Sequence, residues 1–363
     1  MPKLEAELVI VPKTIALQVE VEPALNVLNS LVLLSQVDRF SGLGEWINET
    51  AAKMDPSNWE RHRIIVEGLY FSIIPQHSYD SFEAFIDDLA NSDPVGLRDK
   101  VLNAYCMCHS SSEEYERYQR NNWEAVLHSE DDFIEFMHTL FEQDEIDENV
   151  ERAAYNLLVD PPAMRDSIVS HLRFMWKEYM AAEWERVLPT VKESVAAFQK
   201  ADISSMSLLQ AAHFVTGREP DEKFEESLLE AEKVIFVPNT HNGPYALKYY
   251  GDGIVWMTFG ARVPEGMQSA SPDLKRSDLL VRLTALADET RLRILAIIRE
   301  QGEMCSQELI DRMEISQSSI SRHLRQLTAT GYLVERRTEA GKCYQLNTER
   351  IGETLQALDG FFE

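Results

Sequence analysis

At 363 residues, with 44% apolar side chains and a formal charge of −26, the chain is too long for one small domain and predicts two compact units with real cores. No stretch approaches the roughly 20 apolar residues of a membrane span, and the opening residues Met1 to Glu7 carry charges where a signal peptide needs an apolar run. The four cysteines, Cys106, Cys108, Cys305 and Cys343, are too few and scattered for a disulfide framework, so the expectation is a reduced, cytoplasmic protein with no membrane contact.

Ile15, Leu17, Val19 and Val21 alternate with Ala16, Gln18, Glu20 and Glu22, the period-two pattern of a half-buried strand. Pro23 suits the first turn of a helix through Ala24, Val27, Leu28, Leu31 and Leu34. From there to about residue 230 the chain reads as successive amphipathic helices. Their punctuation is Asp55-Pro56, Ser92-Asp93-Pro94, Asp160-Pro161-Pro162, Gly217 and Pro220. One helix is expected over 190–200 and a longer one from near Met164. Val234 to Val237 is a strand-like run that Pro238 should end, and residues 245–250 and 254–259 flank Gly251-Asp252-Gly253 as a hairpin with a Gly-rich turn. Pairing these strands with the first one would close residues 1–262 into a helical domain with a few strands, of α+β type. Residues 263–276 carry Pro, Gly and Ser without apolar periodicity and read as a linker, leaving 277–363 as a second domain.

Three blocks organise that second domain: Leu286 to Leu295, Cys305-Ser306-Gln307-Glu308-Leu309, and Ile315 to Leu324. Ser306 is placed to cap a short helix carrying Leu309 and Met313, with Glu308 where the helix dipole favours negative charge. Ile315 plugs the turn, and Ser316 caps a second helix in which Ile320, Leu324 and Leu327 make one buried stripe. The opposite face keeps Gln317, Ser318, Ser321, Arg322 and Arg325, with Ser316 and Ser319 beside them. Small polar groups at the start of a helix, with guanidiniums further along, suit entry into the major groove. A merely solvated polar face is the alternative, and the capped helix before it and the hairpin after it weigh against that. The hairpin pairs residues 333–337 with 343–346 across a tip at 339–342, where Gly341 supplies a permissive backbone and Arg337 and Lys342 are placed to meet phosphate or the minor groove. His323 reads as a packing or phosphate-contact residue rather than a switch.

These blocks, in this order and spacing, resemble the ArsR family of bacterial repressors over roughly residues 277–346. The resemblance implies a mainly α fold ending in a winged helix-turn-helix, a sequence-specific regulator of transcription acting as a repressor, and double-stranded DNA as partner. It also implies a homodimer, because the family dimerises through its first and last helices. Here these are residues 278–287, with Leu279, Leu280, Leu283 and Leu286, and 348–362, with Ile351, Leu355, Leu358 and Phe362. The same amphipathic faces would also serve to cap their own module.

The overall charge argues against DNA until its distribution is read. Residues 277–363 hold 11 Lys/Arg and 14 Asp/Glu, a net of −3, so −23 of the formal charge sits in the rest of the chain. Within 316–344, Arg322, Arg325, Arg336, Arg337 and Lys342 oppose only Glu335 and Glu339.

Some ArsR-family proteins sense metals through a Cys-x-Cys pair at the helix that opens the DNA motif, where this chain has Cys305 and Gln307. Others use His and acidic ligands on the last helix, and residues 347–363 contain no His. Cys106-Met107-Cys108-His109 offers soft ligands, but neighbours two apart on a helix point to different faces and no second Cys pair completes a tetrahedron. No metal and no cofactor are therefore expected. The layout looks like ArsR-type regulators with a large N-terminal domain, and because a domain of roughly 260 residues can bury a ligand cavity between helices, a sensor of a small-molecule effector is expected. Trp46, Trp59, Trp123, Trp176, Trp184 and Trp256 are candidates to line its cavity, or plain core. The alternatives are a protein-interaction module, with residues 144–151 as an acidic face, and an enzyme. Against the enzyme, the chain has no HExxH, P-loop, GxGxxG or nucleophile elbow, and single acids such as Asp132 or Glu135 prove nothing in so acidic a protein.

Overall fold

A computed structural model describes residues 15–109, 123–141, 146–217, 228, 231–264, 272–338 and 341–362. The first strand forms as β1 (Ala16–Val19), with Leu17 and Val19 turned inward. Pro23 opens α1 (Pro23–Leu34), where its missing N–H is one that no helix would satisfy. Every later residue of α1 is buried, Asn26, Asn29 and Ser30 included, so this is a central helix and not the amphipathic surface helix its neighbours suggest. Around it stand α2 (Glu45–Lys53), α3 (Pro56–Arg63), α4 (Phe82–Asn91), α5 (Pro94–His109), α6 (Glu130–Leu140) and α7 (Glu148–Leu158). The Asp-Pro punctuation does what its chemistry suggests: Asp55 and Asp160 accept from the N–H groups of Ser57 and Ala163 to start α3 and α8 (Pro161–Met175). A single π turn (Trp176–Met180) joins α8 to α9 (Ala181–Gln199), merging the two helices expected there into one rod. α10 (Leu208–Thr216) completes the helices of this domain among the described residues.

Strands β2 (Lys233–Asn239), β3 (Leu247–Tyr250) and β4 (Ile254–Gly260) join β1 in a sheet of order β1-β2-β4-β3. β1 and β4 run parallel to β2, and β3 with β4 is the antiparallel hairpin expected around residues 251–253. The expected closure of the domain by its first strand is therefore present. Val234 and Phe236 pack with Val195 and Phe198 of α9 and Val215 of α10, while Ile235 and Val237 pack with Leu25 of α1 and with Trp256. The sheet is thus the middle layer between helices, which is why β2 reads as an unbroken apolar run instead of an alternating one. Pro238 does not end the strand. The Phe236 carbonyl accepts from the Glu20 N–H at 3.0 Å, so even positions of β2 face β1. Pro238 falls beyond the last β1 partner, where its missing donor has no strand to serve.

The C-terminal domain begins with α11 (Pro272–Leu286), which extends back into the stretch expected to be linker; residues 265–271 of that stretch lie outside the described residues. It continues with α12 (Glu289–Gln301), β5 (Met304–Cys305), α13 (Ser306–Met313), α14 (Gln317–Ala329), β6 (Leu333–Thr338), β7 (Gly341–Leu346) and α15 (Thr348–Phe362). A three-stranded sheet of order β5-β7-β6 against these helices is the winged helix-turn-helix architecture, and the whole chain is mainly helical. The hairpin closes tighter than expected: Thr338 pairs with Gly341, whose φ of +106° suits glycine. β5 has no forerunner in the sequence reading. It sets Cys305 opposite Cys343, and the two form a disulfide. The expected reduced state is corrected for this pair, because 38 residues of separation hide that their strands are neighbours. No helix among the described residues is long and apolar enough to cross a membrane.

Candidate nucleic-acid interface

Helix α14 has two faces. The Ser316 hydroxyl accepts from the Ser319 N–H at 3.2 Å and caps the helix. Ile320, Leu324 and Leu327 are buried with Ile294, Ile298 and Leu309, the stripe expected from their spacing. Ser316, Gln317, Ser318, Ser321 and Arg322 are exposed, and Ser319 is half-buried, so the structure brings these residues together on the open N-terminal half of the helix. The cap of α13 lies one residue earlier than expected. The Cys305 N–H donates to Glu308 Oε2 at 2.7 Å, and the Ser306 hydroxyl instead donates to the Lys342 carbonyl at 3.3 Å, tying the helix to the wing.

On the wing, Lys342 is exposed and pairs at 3.0 Å with the half-buried Glu335, and a surface pair of this kind holds its lysine only weakly. Arg337 faces Lys342 across the hairpin, and its side chain lies outside the described residues. Arg336 reaches Glu303 at 3.6 Å. His323 is buried 3.9 Å from Asp288, and burial pushes its pKa down, the state of a packing residue. Arg291 has a structural role that the sequence reading missed. Its Nε donates to the Ala285 carbonyl at 2.6 Å and its Nη2 to the Thr284 carbonyl at 2.8 Å, satisfying the end of α11.

Arg325 parts company with Arg322. Its Nη1 donates to the Arg39 carbonyl at 2.7 Å, and its guanidinium lies 5.3 Å from the centre of the Phe40 ring. Next to it Gln326 is buried against Gly42 (φ +79°), where a Cβ would come within 2.7 Å of Gln326 Nε2. Phe40 packs on Tyr245 at 4.5 Å between ring centres, and the Tyr245 hydroxyl donates to the Ser41 carbonyl at 2.8 Å. The C-terminal half of α14 is therefore seated on residues 39–42 of the first domain. No local signal could have announced this, since Arg325 and Arg39 are 286 residues apart.

Two clusters in the first domain invite a chemical reading. Ser30 Oγ lies 2.8 Å from His241 Nδ1, and His241 Nε2 lies 2.8 Å from Glu183 Oε1, the connectivity of a hydrolase triad. All three side chains are buried, the Trp46 ring stacks on His241 at 4.9 Å, and the Ser30 hydroxyl donates to the Asn26 carbonyl at 2.9 Å. A serine whose proton is committed to its own helix, beneath a tryptophan, locks α1 to the loop after β2 rather than attacking a substrate. Trp46 thus packs on the network, and Trp256 is core. In the second cluster Cys106 is buried on α5, and the side chains of Met107, Cys108 and His109 lie outside the described residues. Among the described residues no group of three His, Cys, Asp or Glu side chains could hold a metal ion.

The sequence that forms this face is similar to known proteins. Residues 288–334 match the family model described as bacterial regulatory protein, arsR family. An uncharacterized HTH-type transcriptional regulator of Methanocaldococcus jannaschii is 33% identical over 75 residues, which is 21% of this chain and 84% of that protein. The chain belongs to the arsR family. The arsenic resistance transcriptional regulator ArsR1 of Pseudomonas putida is 45% identical over 64 residues, 18% of this chain and 50% of its own length. The transcriptional activator HlyU of Vibrio cholerae is 33% identical over 79 residues, 22% of this chain and 72% of its own. The chain spans about half the length of the first curated relatives it matches. Each of these relatives is named as a regulator of transcription. The family match leaves the first domain unassigned, and no solved structure matches the chain.

Proposed function

We propose that the chain is a homodimeric, sequence-specific repressor of transcription whose first domain senses a small molecule. Ser316, Gln317, Ser318, Ser319, Ser321 and Arg322 enter the major groove, and Arg325, Arg337 and Lys342 meet the phosphate backbone or minor groove. The observation that carries this is the open, polar N-terminal half of α14, held rigid from behind by Ile320, Leu324 and Leu327. Dimerisation is supported by α11 and α15, which pack side by side yet leave Leu280, Leu355 and Phe362 50%, 57% and 79% exposed. The sign of regulation leans on relatives such as the Escherichia coli protein named arsenical resistance operon repressor. The sensor role is supported by the seat that residues 39–42 provide for Arg325, a direct route from the first domain to the reading helix.

Selection of bound fragments from random DNA, followed by footprinting, tests the reading. The expected operator is two-fold symmetric, with half-sites about one helical turn apart. Arg322→Ala is expected to cost about 1–3 kcal/mol of operator binding with the fold intact by circular dichroism. A footprint without symmetry, or an Arg322→Ala protein that binds as tightly as the parent, counts against it.

A further inference from the structure

A cavity of about 570 Å³ lies where the two domains meet. The first domain supplies one wall from α9, the loop after β2 and the end of β4; the second supplies the other from α11, the end of α14 and the start of α15. Four arginines line it, Arg186 and Arg262 from the first domain and Arg282 and Arg350 from the second. No Asp or Glu is among the described residues of its lining, on a protein of formal charge −26. Glu183 pairs with Arg186 at 2.5 Å and Glu353 with Arg350 at 2.9 Å, each from outside the lining.

The site is built rather than accidental. Arg262, Arg282 and Arg350 are buried, and a guanidinium keeps its charge in such a setting. The Arg262 backbone is held by the Ser194 hydroxyl, which donates to its carbonyl at 2.6 Å. Its side chain passes Gly217 (φ +70°), where a Cβ would lie 1.8 Å from Nη1, so the glycine that ends α10 also leaves room for the guanidinium. Thr240 lines the same cavity and has a buried hydroxyl with no hydrogen-bond partner among the described residues. Guanidiniums lining a space that has no described carboxylate of its own favour an anion there, even with Arg186 and Arg350 each paired to a glutamate outside the lining, and planar forks suit carboxylate and phosphate oxygens.

We propose that this cavity is the effector site and that it takes a small polyanion carrying carboxylate or phosphate groups, bridged between Arg186 and Arg262 on one side and Arg282 and Arg350 on the other. The proposal rests on the sensor reading given above and adds the place and the ligand chemistry. A ligand that touches both walls binds the docked arrangement best, and by linkage it stabilises docking. Docking seats Arg325 on Arg39 and Phe40, while Ala329 and Thr330, at the end of the same helix, line the cavity itself. The anion therefore lowers the affinity for operator DNA.

Calorimetry on the full-length protein tests the site, with inorganic pyrophosphate and citrate as separate arms to tell phosphate from carboxylate recognition, and sodium chloride at matched ionic strength as control. At least one probe is expected to bind once per chain and to bind at least about tenfold more weakly to Arg282→Gln and Arg186→Gln. Arg186 has a side chain 66% exposed, so its replacement keeps the test valid if Arg282→Gln fails to fold. In fluorescence anisotropy the same probe at saturation is expected to weaken operator binding at least about threefold. Absence of binding by either anion up to about 10 mM, or equal binding by the Arg186→Gln protein, overturns the site and leaves the sensor reading untouched. Saturable, arginine-dependent binding with operator affinity unchanged overturns the sensor reading instead.

Discussion

Replacing Phe40 by leucine should raise the affinity of the full-length protein for its operator. In the docked arrangement Arg325 has two first-domain partners, the Arg39 carbonyl at 2.7 Å and the face of Phe40 at 5.3 Å. A guanidinium held this way is not free to follow a phosphate, so DNA contact through Arg325 competes with both interactions. The guanidinium–ring contact at an exposed site contributes about 0.5–1 kcal/mol. Leucine keeps apolar contact with Tyr245, 4.5 Å away between ring centres in the parent, and removes the π face. Where docking and DNA compete for Arg325, that energy reappears as about two- to fivefold tighter binding. Fluorescence anisotropy with the selected operator reads it, at matched salt because phosphate contacts make affinity steeply salt-dependent. Arg325→Ala removes the tether and the phosphate contact together, so it should weaken binding less than Arg322→Ala does. Equal affinity of Phe40→Leu and parent, with Arg325→Ala as damaging as Arg322→Ala, would refute the competition.

Two further predictions concern stability. Arg291→Ala leaves the Thr284 and Ala285 carbonyls without their donor and should cost about 2–4 kcal/mol in urea denaturation, with little rescue by lysine, which lacks the fork; unchanged stability would remove Arg291 as the clasp of α11. The buried pair His62 and His171 should make the protein acid-sensitive. The Leu31 carbonyl can only accept, so His62 donates to it from Nε2 at 2.9 Å and takes the proton of His171 Nε2 at 3.0 Å on Nδ1. Burial drives their pKa values down to about 4 and about 3, so both are neutral when folded. The unfolded chain binds protons below about pH 6.5, and stability is lost as pH falls from there. Glu151 opposes this, because burial and then the charges of Glu67 and Asp147 raise it to about 8, and its contribution grows as pH falls through that value. In Glu151→Gln, where the opposing carboxyl is gone, stability should drop by about 4 kcal/mol between pH 7 and pH 5. A drop far short of that in Glu151→Gln would show that the histidine pair is not held neutral.

The winged helix-turn-helix was legible from the chain alone because its determinants are local. Capping by Ser316, the spacing of Ile320, Leu324 and Leu327, and the hairpin around Gly341 each act within a few residues, and the period of burial follows directly from helix geometry. The strands of the first domain were legible for the same reason, by alternation in β1 and by the Gly-Asp-Gly turn between β3 and β4. What tertiary structure decided is where distant segments meet. It continued β2 through Pro238 because β1 ends first, buried all of α1 after its first residue because a sheet lies on one side and helices on the other, and joined Cys305 to Cys343 through an unforeseen strand. It also separated two arginines that the helical wheel treats alike. Arg322 lies on the open half of α14 and Arg325 on the half seated against Phe40, a partner whose position depends on the packing of the whole first domain. The same packing assembles Arg186, Arg262, Arg282 and Arg350 around one cavity, and no periodicity in the chain brings those four together, since each belongs to a different element and only docking gives them a common wall.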